Sequence, residues 1–91
     1  MRADTNATNP AIARIRGIAR LSAGKRLKAG LTQQDVADKL ERYQSFIATV
    51  ESGQRRIDVV ELLDLAEAIG FDPREAIIRL LAVDVKPRSG R

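Results

Sequence analysis

The sequence predicts an all-α fold. Cap residues followed by apolar residues at 3.6-residue spacing mark five helical segments, and no stretch reads convincingly as a strand. Internal repeats and low-complexity segments are also missing from the chain. With 91 residues and 44 % hydrophobic content, the chain fits one domain with a modest core that needs neither disulfide nor metal. A flexible tail is expected at 1–9, a helical domain at 10–83 and a flexible basic tail at 84–91.

The first helix is expected to follow Asn9 as cap, with Pro10 at its first position, where the missing N–H costs nothing, and to run toward Ala29 before Gly30. Its apolar residues Ile12, Ile15, Ile18 and Ala19 keep helical spacing, after which the stripe meets Ser22 and Lys25. Thr32 caps a second helix to Leu40, with Asp35 as the reciprocal carboxylate of a capping box and Val36, Ala37 and Leu40 facing inward. A third helix, Gln44 to Ser52, turns Ile47 and Val50 inward and is ended by Gly53. The fourth opens at Asp58 with Glu61 three residues on, buries Leu62, Leu65, Ala66 and Ile69, and stops at Gly70. Asp72 and Pro73 open the fifth, with Glu75 completing another acidic cap, and it runs to about Val83. Ile77, Ile78, Leu80 and Leu81 span too wide an arc to be buried from one side, so an apolar surplus is expected there.

Composition removes most catalytic chemistry. The chain contains no Cys and no His, which excludes disulfides, thiolate nucleophiles, zinc fingers and imidazole acids or bases. No cofactor and no metal are expected, and the scattered carboxylates Asp58, Glu61 and Asp64 read as caps and surface charge rather than as an enzyme's site. No apolar run approaches the roughly 20 residues of a membrane span, and the polar N-terminus does not resemble a signal segment, so a cytoplasmic protein is expected. The net charge of +4 is unevenly spread. Arg2, Arg14, Arg16, Arg20, Lys25, Arg26 and Lys28 face only Asp4 in residues 1–30. Such a basic segment suits either a polyanion or plain solvent exposure.

Residues 33–52 carry the sharpest functional signal: two short helices joined by a tight turn, with the small Ala37 where steeply crossing helices need close approach. Val36, Leu40, Ile47 and Val50 anchor the pair, leaving Gln44, Ser45, Ala48, Thr49 and Ser52 on the opposite face. That face has amides and hydroxyls, no acid and no long apolar side chain, and so suits the DNA major groove. Phe46 shares a face with Val50, which favours partial burial over contact with a thymine methyl. Tyr43 is read either as a phosphate contact or as packing at the turn.

The run Gly30-Leu31-Thr32-Gln33-Gln34-Asp35-Val36-Ala37, followed by Gln44-Ser45-Phe46-Ile47 and Val50-Glu51-Ser52-Gly53-Gln54-Arg55-Arg56, resembles the Cro and phage-repressor type helix-turn-helix family, also called the xenobiotic-response-element family. The resemblance covers about residues 18–82. It implies a compact five-helix, lambda-repressor-like domain and a regulator of transcription, usually a repressor, that binds a pseudo-palindromic duplex operator as a homodimer. On this resemblance the base-contacting residues are Gln44, Ser45, Ala48 and Thr49, and the phosphate-contacting residues are Gln33, Arg42, Tyr43, Gln54, Arg55 and Arg56. Arg26 and Glu51 match an internal ion pair, and Ile77, Ile78 and Leu81 are the candidate dimer interface. Glu41 stands where the family's turn usually has glycine, at a cost of about 1 kcal/mol for a left-handed residue. Ser22 and Lys25 replace residues that are usually apolar. A competing expectation is an antitoxin or adaptor whose main partner is a protein and whose DNA binding serves autoregulation.

Overall fold

The computed structural model describes residues 9–83, so the tails expected at 1–9 and 84–91 lie outside it apart from Asn9. Five helices follow in order: α1 (Pro10–Lys28), α2 (Gln33–Leu40), α3 (Gln44–Glu51), α4 (Val59–Ile69) and α5 (Pro73–Leu81). The described residues contain no strand. No helix among them is long and apolar enough to cross a membrane.

The caps explain where each helix begins. Asn9 Oδ1 accepts the Ala11 N–H at 2.8 Å, and Pro10 starts α1 with a φ already suited to it. Thr32 and Asp35 exchange backbone and side-chain hydrogen bonds at the start of α2, and Asp58 and Glu61 do the same at α4. The fifth cap differs from the expected box: Asp72 Oδ1 accepts from Arg74 N–H at 2.9 Å, while Glu75 turns away to pair with Lys25 of α1 at 2.8 Å. That ion pair ties the end of the first helix to the beginning of the last. α5 stops at Leu81, and α3 gives way one residue early, with Ser52 as its C-cap and Gly53 taking the left-handed φ of 79°.

Two apolar clusters hold the helices together. The larger joins Val36 and Ala37 of α2, Phe46, Ile47 and Val50 of α3, and Leu65 and Ile69 of α4. Burying a side chain such as Ile47 or Leu65 contributes about 1.5–3 kcal/mol, so this cluster fixes the angle between α2 and α3. Ala37 is wholly buried, and its lack of bulk lets the two axes approach. The smaller cluster packs Leu21 of α1 and Leu62 of α4 around Ala76, the buried residue of α5. α1 thereby bridges the helical pair to α5. Its buried stripe runs through Ala19, Leu21 and Ser22, so Leu21 takes up the core contact where Lys25 stands half-buried toward Glu75.

Between α2 and α3, Glu41 adopts φ 58°, ψ 43°, and is the non-glycine residue with positive φ among those described. Its N–H and that of Arg42 both return to α2 carbonyls, Arg42 to Ala37 O at 2.9 Å. The turn thus keeps the left-handed conformation that glycine would adopt without strain.

Candidate nucleic-acid interface

The short helix α3 lies with its inner side sealed by Phe46, Ile47 and Val50, which leaves a polar outer side. Gln44 and Ser45 are exposed at its first turn, and Ala48 and Thr49 are half-buried one turn on. Tyr43 caps the helix without a side-chain hydrogen bond, so backbone N–H groups of the first turn have no side-chain acceptor. Tyr43 itself is 87 % exposed, which removes packing at the turn from its two readings. Thr49 Oγ1 donates to Phe46 O at 2.8 Å and Ser52 Oγ to Thr49 O at 3.1 Å, which uses each hydroxyl's proton and leaves its oxygen able to accept.

Behind the first turn runs a network that begins in the interior. Arg26 of α1 meets Glu51, at the end of α3, through two bonds, Nε to Oε2 at 2.6 Å and Nη2 to Oε1 at 3.0 Å. Their side chains are only 12 % and 8 % exposed, and Arg26 Nη1 also donates to Leu31 O at 2.8 Å. The Glu51 hydrogen bond is the main cause that raises the Arg26 pKa above its ordinary value, against the opposing cost of burial. Glu51 Oε1 accepts a further bond from Gln33 Nε2 at 2.9 Å, and Gln33 Oε1 in turn accepts from the Gln44 amide. The first residues of α2 and α3 are therefore oriented by a chain of bonds anchored on a buried charge.

A second group flanks the other side of α3. The Arg42 guanidinium lies over the Phe46 ring, 3.7 Å from its centroid, and that of Arg55 lies 4.9 Å from it. Arg55 Nη2 donates to Glu61 Oε2 at 2.6 Å, and Arg42 Nη1 is 3.8 Å from the same oxygen. Glu61 Oε1 meanwhile accepts the Asp58 N–H at 3.0 Å. This backbone bond first, and Arg55 second, hold the Glu61 carboxyl below its ordinary range. Arg55 Nε is enclosed without a hydrogen-bond partner, so the guanidinium is held through Nη2. Gln54 and Arg56 project from the following loop and are exposed.

The sequence-predicted residues thus fall in three places. Gln33, Gln44 and Ser45 lie in the first turns of α2 and α3, with Ala48 and Thr49 one turn further along α3. Arg42, Tyr43, Gln54, Arg55 and Arg56 flank them in the adjoining turn and loop. Ile77, Ile78 and Leu81 stand apart on α5, exposed by 41 %, 66 % and 73 %. Sequence reasoning missed two features. Glu61, read as a cap and surface charge, also joins Arg55 and Arg42, two residues that only the folded chain brings to it. Val59, Val60 and Leu63 of α4 are exposed by 66 %, 65 % and 48 %, as a helix apolar nearly all round could have indicated.

The sequence profile of a helix-turn-helix domain family matches residues 11–77. Among solved structures, an XRE-family like protein from Pseudomonas syringae pv. tomato is 34 % identical, with a TM-score of 0.73, over 93 % of this chain and 100 % of that one. The restriction-modification controller protein C.AhdI from Aeromonas hydrophila is 31 % identical, with a TM-score of 0.66, over 70 % of this chain and 97 % of that one. A comparison with curated proteins found no match. The matched core of the domain, its five helices in this order and its likeness to these structures together place the chain in the XRE-type helix-turn-helix family of DNA-binding regulators.

Proposed function

We propose that the protein is a sequence-specific transcriptional repressor that binds a pseudo-palindromic duplex operator as a homodimer, with α3 in the major groove. The observation that carries this reading is the outer side of α3, where Gln44 and Ser45 are exposed and free of acidic neighbours on their own helix turn, between flanking groups that contain Arg42, Arg55 and Arg56. Gln44, Ser45, Ala48 and Thr49 meet base edges, while Gln33, Arg42, Tyr43, Gln54, Arg55 and Arg56 hold the phosphates on either side. The Arg26–Glu51 pair fixes Gln33, and through it Gln44, so the reading side chains enter the groove already oriented. The likeness to a restriction-modification controller supports a regulatory role for a chain of this size.

Equilibrium binding to specific and random duplexes at several salt concentrations tests the assignment. Gln44→Ala should relax preference at particular base pairs by roughly 1–3 kcal/mol, whereas Arg56→Ala should weaken binding to every sequence and flatten the salt dependence. Equal weakening on specific and random DNA by Gln44→Ala would move that residue from base to backbone. An unchanged salt slope for Arg56→Ala would remove it from the interface.

A further inference from the structure

Glu61 is an acid placed among the groups that the proposed function directs toward phosphate, and charge repulsion alone would disfavour it there. Its geometry accounts for its position. One carboxylate oxygen takes the Asp58 N–H at the start of α4, and the other binds Arg55 at 2.6 Å and approaches Arg42 to 3.8 Å. The Glu61 side chain is 17 % exposed, while those of Arg42 and Arg55 remain 42 % and 39 % exposed. Both arginines share the Phe46 ring as a floor. The α2–α3 turn, the loop after α3 and the start of α4 therefore meet on this single carboxylate.

A guanidinium has five N–H donors in a fixed fork, and a carboxylate that engages one edge leaves the others for a second acceptor. A free arginine loses much of its rotamer entropy when a phosphate holds it; one already held against a ring and a carboxylate loses less. We infer that Glu61 is a positioning residue for DNA binding, which holds Arg42 and Arg55 over Phe46 so that their free N–H edges present a preformed phosphate grip. This rests on the DNA-binding reading above. It assigns Glu61 a role opposite in sign to that of a repelling surface acid.

Glu61→Gln separates these roles, because glutamine at this position keeps the capping-box bond to Asp58 and removes the charge that binds the arginines. Thermal unfolding of the variant establishes that α4 is intact. Asp64→Asn, an exposed position on the same helix, removes the same charge away from the arginines and measures the long-range effect of one acid. Binding of each protein to operator and random duplexes is followed across salt concentrations. Glu61→Gln should weaken binding to both duplexes by about tenfold and flatten the salt slope by about one, the loss of one phosphate contact, although it makes the protein more positive. Asp64→Asn should leave affinity equal or slightly tighter. In an Arg55→Ala background the Glu61→Gln loss should shrink or reverse, since the main partner is gone. Tighter binding and a steeper slope for Glu61→Gln would overturn the inference and make Glu61 a competitor for the arginines. Failure of the unaltered protein to bind any duplex would overturn the DNA-binding reading, and this inference with it.

Discussion

Glu51 joins a buried ion pair to the side chains proposed to read DNA. Its carboxylate receives the Nε and Nη2 N–H groups of one edge of the Arg26 guanidinium and the Gln33 amide, and both charged partners are largely hidden from solvent. Removing either charge strands the other, which typically costs about 3–5 kcal/mol, whereas removing both leaves no unpaired buried charge. Arg26→Met and Glu51→Gln should therefore each lower stability strongly in denaturant unfolding, and the double variant should be no worse than either alone. Strict additivity of two small effects would contradict this. The pair itself came from family resemblance at the sequence level; the Gln33 and Gln44 extension did not, because the spacing of four residues on three helices does not reveal a shared hydrogen-bond chain. Glu41 was legible as a left-handed turn residue, and its φ of 58° agrees. Glu41→Gly should raise stability by about 0.5–1 kcal/mol, as relief of the left-handed strain exceeds the added freedom of the unfolded chain. A loss of stability would mean that the glutamate makes a compensating interaction.

At the scale of elements, helix starts were the most legible feature, because a cap is a local exchange of hydrogen bonds written in neighbouring residues. Asn9, Thr32 with Asp35, and Asp58 with Glu61 all behave as their spacing predicts. Asp72 caps α5 too, but Glu75 is drawn to Lys25, a residue 50 positions earlier that only the folded chain brings near. The same limit hid the buried Leu21 and Ala76, whose contacts depend on how α1 crosses α4 and α5. The caps also set the response to acid. Asp35 and Glu61 are held below their ordinary values of 3.8 and 4.5 chiefly by backbone N–H groups of Thr32 and Asp58, and Asp72 below 3.8 chiefly by the Arg74 side chain. Because the folded values are depressed, the unfolded chain takes up protons first as pH falls. The stabilisation is complete above the ordinary values and is lost on descending through the depressed ones. With no histidine to titrate between pH 5 and 8, the unfolding temperature should stay flat across that range and drop below about pH 4.5. A midpoint that moves between pH 6 and 8 would show that other groups govern stability.

At the scale of the whole molecule, the exposed apolar residues bear on assembly. Ile78 and Leu81 lie three apart on α5, and a two-fold axis would set that stripe against its own copy. Replacing both by glutamate should give a folded monomer with sharply lower operator affinity, checked by mass in solution and by binding. A dimer that persists would transfer the interface to the second apolar set, Val59, Val60 and Leu63 of α4. The proposed function requires a dimer because one α3 of 8 residues spans only a few base pairs, too few to discriminate against the competing sites of a genome. Selection of bound duplexes from a random pool tests the central claim most directly, since one experiment reports DNA binding, sequence preference and symmetry. The account predicts enrichment of a pseudo-palindrome whose half-site centres lie about one helical turn, roughly 34 Å, apart. A pool that shows no enriched sequence, or one enriched for a single asymmetric site, would contradict it.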